Sequence, residues 1–228
     1  MVLKINSFLI QERNRLMKVL LVNGSPHEHG CTDRALQEVK TALENEGVGA
    51  DIYWIDNAPI PGCLSCMYCV KNHKCVYDDL VNSFVNIAKH YDGFVFGSPV
   101  YFASAAGQMV AFMDRVFFSS YAGKTDTFYM KPVASVASCR RAGDVAALDQ
   151  LNKYYGLMHM PVVSSSYWNE VHGHKPSEVV QDLEGMQTMR NLGKNMAWLL
   201  KCIDAGRKNG VKDPERPVKP DMTNFIRK

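Results

Sequence analysis

Five short apolar runs, each followed by a stretch with helical spacing, constrain this chain more than any other feature. The runs lie at 19–22, 50–55, 93–97, 132–137 and 160–164. Runs without polar alternation read as strands covered on both faces, the condition of a parallel sheet. Between and after them, apolar residues recur at helical spacing over 33–46 (Ala35, Leu36, Val39, Ala42, Leu43), 79–90 (Leu80, Phe84, Ile87, Ala88), 105–118, 145–155 and 181–205. Alternation of this kind specifies a three-layer α/β/α architecture with right-handed crossovers. Five strands suit the order 2-1-3-4-5, whose ligand crevice opens at the carboxyl ends of strands one and three. The chain of 228 residues holds one such core, with no internal repeat. The expected division is an N-terminal extension over 1–16, one domain over 17–205 with a cysteine loop at 62–76, and a Lys-, Arg- and Pro-containing tail over 206–228.

Charge and hydropathy exclude several classes. A formal net charge of +3 is too small to argue for nucleic acid. No apolar run reaches the length of a membrane span. The first sixteen residues lack the small-residue cleavage site of a secretory signal. The expectation is a cytoplasmic protein in which thiols serve metal or redox chemistry rather than disulfides.

The turn after the first run, Asn23-Gly24-Ser25-Pro26, leads into a helix opening near Thr32. A tight loop of small and hydroxyl residues at a helix start is an anion cradle, because backbone N–H groups and the helix dipole point into it. Ser25, His27 and Thr32, with backbone N–H groups through Gly30, are the candidate phosphate donors. No G-x-G-x-x-G follows a strand and no G-x-x-x-x-G-K-[ST] occurs, which argues against dinucleotide and P-loop sites. A phosphomonoester such as that of FMN fits the short loop better. The loop leaving the third run, Pro99-Val100-Tyr101-Phe102, offers an apolar and aromatic wall for a flat ring system. Ser138 to Gly143, leaving the fourth run, offers N–H donors and a positive charge from Arg140 or Arg141. Taken singly, each of these loops also reads as an ordinary connection or a cap on the core.

Seven cysteines occur, and four stand at Cys63, Cys66, Cys69 and Cys75, a C-x2-C-x2-C-x5-C spacing. Paired zinc ribbons separate their two C-x2-C pairs by a dozen residues or more. Thiolates packed this tightly suit one compact cluster, as in ferredoxins, although the proline that follows the last ferredoxin cysteine is Val76 here. A [4Fe–4S] cluster leads; zinc, or thiols that hold nothing, remain alternatives. Cys31, Cys139 and Cys202 read most simply as small buried or loop residues, and His172 and His174 as a solvated loop.

Gly24-Ser25-Pro26, the cysteine stretch followed by Asp78-Asp79, Gly97-Ser98-Pro99-Val100-Tyr101-Phe102, and Asp114-Arg115 together resemble the NADPH-dependent FMN reductase-like flavoproteins. The cysteine spacing, and Gly185-Met186-Gln187-Thr188 in the last helix, resemble the iron–sulfur flavoprotein branch. The resemblance implies a flavodoxin-like fold, FMN as cofactor and a cysteine-held [4Fe–4S] cluster. It also implies assembly as a homodimer or homotetramer. Carried over by position, it assigns Ser25, His27, Cys31 and Thr32 to the phosphate loop. Pro99 to Phe102 fall on the isoalloxazine loop, and Ser138, Cys139, Arg140 and Gly143 on a third loop. The family commonly has Arg at position 27 and Asn at position 31. Here His27 replaces a permanent charge and a bidentate donor.

Three functions compete at this stage. One is an FMN oxidoreductase that passes electrons between flavin and cluster, with a small-molecule or protein donor and acceptor. The second is a cluster-free NAD(P)H-dependent FMN or quinone reductase. The third is a non-enzymatic module that senses metal or redox state through its thiols.

Overall fold

The structure, a computed structural model, describes residues 16–216, 221 and 223–225. Apart from Leu16, the expected N-terminal extension lies outside the described residues, as do positions 217–220, 222 and 226–228 of the expected tail. In chain order the elements are β1 (Lys18–Asn23), α1 (Cys31–Asn45), β2 (Gly49–Trp54), α2 (Tyr68–Asn72), α3 (Leu80–Ala88), β3 (Gly93–Tyr101), β4 (Ser104–Ala105), α4 (Gly107–Ala122), β5 (Val133–Cys139), α5 (Asp144–Leu157), β6 (Glu170–His172), α6 (Pro176–Val179) and α7 (Leu183–Lys208). No described helix is long and apolar enough to cross a membrane.

The sheet runs β2-β1-β3-β5-β6, all parallel, and β4 turns back antiparallel on β3. Leaving β4 aside, this is the expected order 2-1-3-4-5 of a flavodoxin-like fold. Val19, Leu21 and Val95 point to the face covered by α1 and α7, where Leu36, Val39, Leu43, Met189, Leu192 and Met196 are fully buried. Leu20, Val22, Phe94 and Phe96 point to the opposite face, under α3, α4 and α5. That side is aromatic: Phe84 meets Phe112 edge-on at 5.0 Å between centroids, and Phe117 meets Phe128 edge-on at 5.1 Å. Burying each such ring contributes about 1.5–3 kcal/mol, so this layer fixes which face of the sheet the three helices cover.

Two expectations are corrected. Residues 160–164 do not form the outer strand. Val133 N–H donates to Pro161 O at 2.9 Å and Val163 N–H to Val133 O at 2.8 Å, giving a single bridge. Proline has no N–H with which to extend that ladder. The upper half of β5 is instead paired by β6, Ala137 opposite Glu170 and Cys139 opposite His172. The helix expected at 105–118 begins at Gly107 and continues to Ala122.

Candidate functional site

The first loop is a closed hydrogen-bonded unit. Asn23 Nδ2 donates to Glu28 O at 2.8 Å, and Asn23 Oδ1 accepts from Ser25 N–H at 3.1 Å. Ser25 Oγ accepts from His27 N–H at 3.1 Å, and Trp54 Nε1 donates to Ser25 O at 2.8 Å. Gly24 N–H reaches Gly97 O at 2.8 Å, which ties the loop to the end of β3. The start of α1, at Gly30, has no side-chain cap. The first N–H groups of that helix therefore face the loop without a protein acceptor from a capping side chain, which is what an anion would use. Ser25 and Thr32 are buried, Gly30 and Cys31 half-buried, and His27 is exposed. Burial and the Glu178 charge push the Cys31 thiol up, and its Sγ lies 3.5 Å from Gly173 O.

The second and third loops meet the first. Gly97 leaves room for α1: a Cβ there would stand 2.9 Å from Thr32 Cγ2. Thr32 Oγ1 and Ser138 Oγ share a buried 2.8 Å hydrogen bond, joining the phosphate-type loop to the end of β5. Pro99 and Val100 are half-buried and Tyr101 and Phe102 exposed. Phe102 and Ala103 form the turn between β3 and β4 with φ of 51° and 57°. Tight hairpin turns of this kind normally place Asn or Gly there, so two non-glycine residues hold strain at the rim of the crevice. Ser98 Oγ accepts from Ala106 N–H at 3.0 Å, and Gln150 Oε1 accepts from Ser104 Oγ at 2.7 Å and Ala105 N–H at 3.0 Å, which together pin the hairpin. Gly143 has φ of 94°, and a Cβ on it would stand 2.7 Å from Ala103 Cα. The third loop thus packs against the hairpin with Arg140 exposed. Cys139 is buried with its thiol 3.3 Å from Asp144 Oδ2, and burial with that carboxylate pushes it up to about 12. All three loops expected to hold a flavin are therefore in mutual contact at the carboxyl ends of β1, β3 and β5.

The four cysteines of the expected cluster line one pocket. Cys63, Cys66, Cys69 and Cys75 line it with Leu64, Met67, Val76, Tyr77, Arg115 and Phe118. Burial pushes the Cys69 thiol up; a backbone hydrogen bond opposes this, and Cys63, Cys66 and Cys75 add to it. Among the described residues, the group of three ligating side chains whose atoms all lie within 4.8 Å of one another is Cys139, Asp144 and His172; the four loop thiols share their pocket without being drawn that close. The loop is extended and turned by Ser65, Met67 and His73, with φ of 52°, 58° and 55°.

The pocket hangs on a residue whose role was not legible in the sequence. Arg115 has a fully buried side chain in α4. Its Nη1 and Nη2 reach Asp79 at 2.7 and 2.8 Å, its Nε reaches Cys75 Sγ at 3.3 Å, and its guanidinium lies 4.7 Å over the Tyr77 ring. Asn82 completes the anchor. Its Oδ1 accepts from Cys75 N–H at 2.9 Å, and its Nδ2 donates to Cys75 O at 3.1 Å and Tyr77 O at 2.8 Å. Polar residues at helical positions facing inward, Asn82 in α3 and Arg115 in α4, were the available signal.

The chain matches the model of the NADPH-dependent FMN reductase family over residues 17–175. It is 29% identical over 192 residues to an iron–sulfur flavoprotein of Methanocaldococcus jannaschii, covering 82% of this chain and 99% of that one. Among solved structures it is similar to RosB with a bound 8-demethyl-8-formylriboflavin-5'-phosphate intermediate, at TM-score 0.64 and 12% identity, covering 92% of this chain and 94% of that one. A flavodoxin from the domain Archaea matches at TM-score 0.54 and 18% identity, covering 81% and 99%. The chain belongs to the NADPH-dependent FMN reductase family and is an FMN-binding, flavin-dependent oxidoreductase of flavodoxin-like fold.

Proposed function

We propose that this oxidoreductase exchanges electrons between FMN, held by the three loops, and a [4Fe–4S] cluster held by Cys63, Cys66, Cys69 and Cys75. The observation that carries this reading is the single pocket lined by Cys63, Cys66, Cys69 and Cys75. Bound in these places, the two groups supply exchange between two-electron and one-electron transfer. The iron–sulfur flavoprotein of M. jannaschii, matched over nearly its whole length, supports the same assignment.

The chain's own residues fill the following roles. The uncapped start of α1, with Gly30, Cys31, Thr32 and the Ser25 hydroxyl, binds and neutralises the phosphate. His27, exposed at the loop, adds a ring N–H donor where a guanidinium is absent. Pro99, Val100, Tyr101 and Phe102 form the apolar wall for the ring system, held by Ser98 and Gln150. Ser138, Cys139 and Gly143 offer backbone groups to the ring's polar edge, and Arg140 favours added negative charge there. Arg115 orients Cys75 and donates to its sulfur, and hydrogen bonds to sulfur raise the potential of such centres. From Gly107 to Arg115 is eight helical residues, so α4 carries the structure from the flavin hairpin to the cysteine pocket over roughly 12 Å. NADPH or NADH is the electron donor, and the acceptor is a small molecule or a protein. The chain works as a homodimer or homotetramer in the cytoplasm.

Electron paramagnetic resonance of the anaerobically prepared, dithionite-reduced chain tests the assignment. The expected result is the signal of one reduced cubane per chain, absent from Cys66→Ser, which still binds FMN stoichiometrically. A wild-type chain that carries FMN but gives no cluster signal overturns it.

A further inference from the structure

At the outer edge of the sheet, away from the four-cysteine pocket, three elements bring unlike ligating groups together. Cys139 ends β5 and lies directly opposite His172 on β6. Asp144, the first residue of α5, is folded back over this pair by the left-handed turn at Gly143. Its Oδ2 lies 3.3 Å from Cys139 Sγ and 3.2 Å from His172 Nε2, and the three ligand atoms all fall within 4.8 Å of one another. Tetrahedral zinc with ordinary Zn–S, Zn–N and Zn–O bonds sets S···O and N···O edges of about 3.5 and 3.3 Å.

Two further observations favour a cation. Glu170 shares the face of His172 on β6 and hydrogen-bonds Asp144, while its Oε2 is buried without a partner. Asp182 accepts from His172 N–H at 2.7 Å and lies 3.5 Å from His172 Nδ1. Among the described residues, no Lys or Arg pairs with Asp144, Glu170 or Asp182; the His172 ring nitrogens lie 3.2 Å from Asp144 and 3.5 Å from Asp182, which also caps α7 through Gly185 N–H. Glu170 and Asp144 also share a side-chain hydrogen bond, which two carboxyl groups make only with a proton between them; a divalent ion would take that proton's place.

We propose that Cys139 Sγ, Asp144 Oδ2 and His172 Nε2 form a binding site for a divalent metal of the zinc class, with the half-buried Glu170 carboxyl next to Asp144. A mixed thiolate, imidazole and carboxylate set selects zinc, or cobalt as its probe, over magnesium or calcium. On binding, the Cys139 S–H bond is exchanged for a metal–sulfur bond, and the proton leaves to solvent with no change in oxidation state. Asp182 fixes the His172 ring through the ring's second nitrogen, as an outer carboxylate does in metal sites. The ligands bracket residues 140–143, so the ion clamps the third loop and fastens the three-residue β6 to β5. Gly173 N–H bonds Cys139 O at 2.9 Å, and Gly173 O lies beside Cys31, which connects the clamp to the start of α1.

The test is a Co²⁺ titration of the full-length chain with Cys63, Cys66, Cys69 and Cys75 all replaced by Ser, followed by absorbance. The expected result is one equivalent of tetrahedral Co²⁺ with a thiolate charge-transfer band, displaced by Zn²⁺. That band is lost in Cys139→Ser, and His172→Gln weakens binding at least ~10-fold. Should the quadruple-Ser background not fold, wild type and Cys139→Ser are compared directly, and the expected difference is one Co²⁺ per chain. Absence of a cobalt–thiolate band in the folded background, or equal cobalt uptake by wild type and Cys139→Ser, overturns the proposal.

Discussion

The loop at 23–30 and the loop at 62–76 are both expected to hold a cofactor, yet they are built in opposite ways. The first closes on itself through Asn23 and Ser25, is tied to Gly97, and buries Ser25 and Thr32. The second leaves Cys63 and Cys66 exposed, turns through three left-handed residues, and is anchored at its far end by Arg115 and Asn82. A phosphate can be met by backbone N–H groups that the fold fixes in advance. A metal cluster makes four bonds of its own, so its loop needs fewer contacts before loading. The phosphate-type loop is preorganised, and the cysteine loop is the one a bound cluster would complete.

Breaking the anchor of the second loop is expected to have the largest effect. Arg115→Ala leaves Asp79 and the Cys75 sulfur without their cation, at a cost of about 3 kcal/mol in denaturant unfolding. It should also lower iron content while FMN stoichiometry, read by absorbance, is less affected. Equal loss of both groups would contradict the separation of the two regions. Next comes the close approach beside the first region. Gly143→Ala forces a left-handed alanine against Ala103 and should cost about 1–3 kcal/mol. It should weaken FMN binding more than tenfold in a fluorescence titration. A smaller gain sharpens the same contrast: His27→Arg restores a charged fork at the phosphate loop. It should tighten FMN severalfold and leave iron content unchanged.

The smallest effect concerns Glu38, which joins α1 to α7. Burial pushes its carboxyl up, but hydrogen bonds from Arg190 and Arg34, with their charges, outweigh this and hold it below the usual range. A depressed folded value means the bonded carboxylate stabilises the fold above the unfolded value, near pH 4.3, and loses that contribution as pH falls through the folded value. Glu38→Gln should therefore cost up to about 1 kcal/mol at pH 7, with the gap from wild type closing in acid. The check is urea unfolding at pH 7 and pH 3.

The sequence carried the sheet well because β1, β3 and β5 are apolar on both faces, and that pattern has few other uses. It failed at the outer edge. Met160 and Val163 are buried and read as strand, but Pro161 interrupts the ladder, whereas β6 has polar Glu170 and His172 on one face and is three residues long. Edge strands of that kind carry little apolar signal. The three flavin-type loops were legible from their small and aromatic residues, because each is local. Arg115 with Cys75, and Cys139 with Asp144 and His172, were not. Their members belong to different elements, and only the folded sheet and helices bring them together. The ferredoxin-like cysteine spacing was legible, but that all four thiols line one pocket with Tyr77 and Arg115 was not.

The most direct test of the central claim is an absorbance spectrum of the anaerobically purified wild-type chain, with iron, zinc and acid-labile sulfide measured on the same sample. The account predicts flavin bands over a broad iron–sulfur shoulder, with about four irons and four sulfides per FMN. Zinc bound at the outer edge of the sheet adds no more than one equivalent. Flavin bands with no iron and no sulfide would contradict it and leave a plain FMN reductase whose four cysteines serve another purpose.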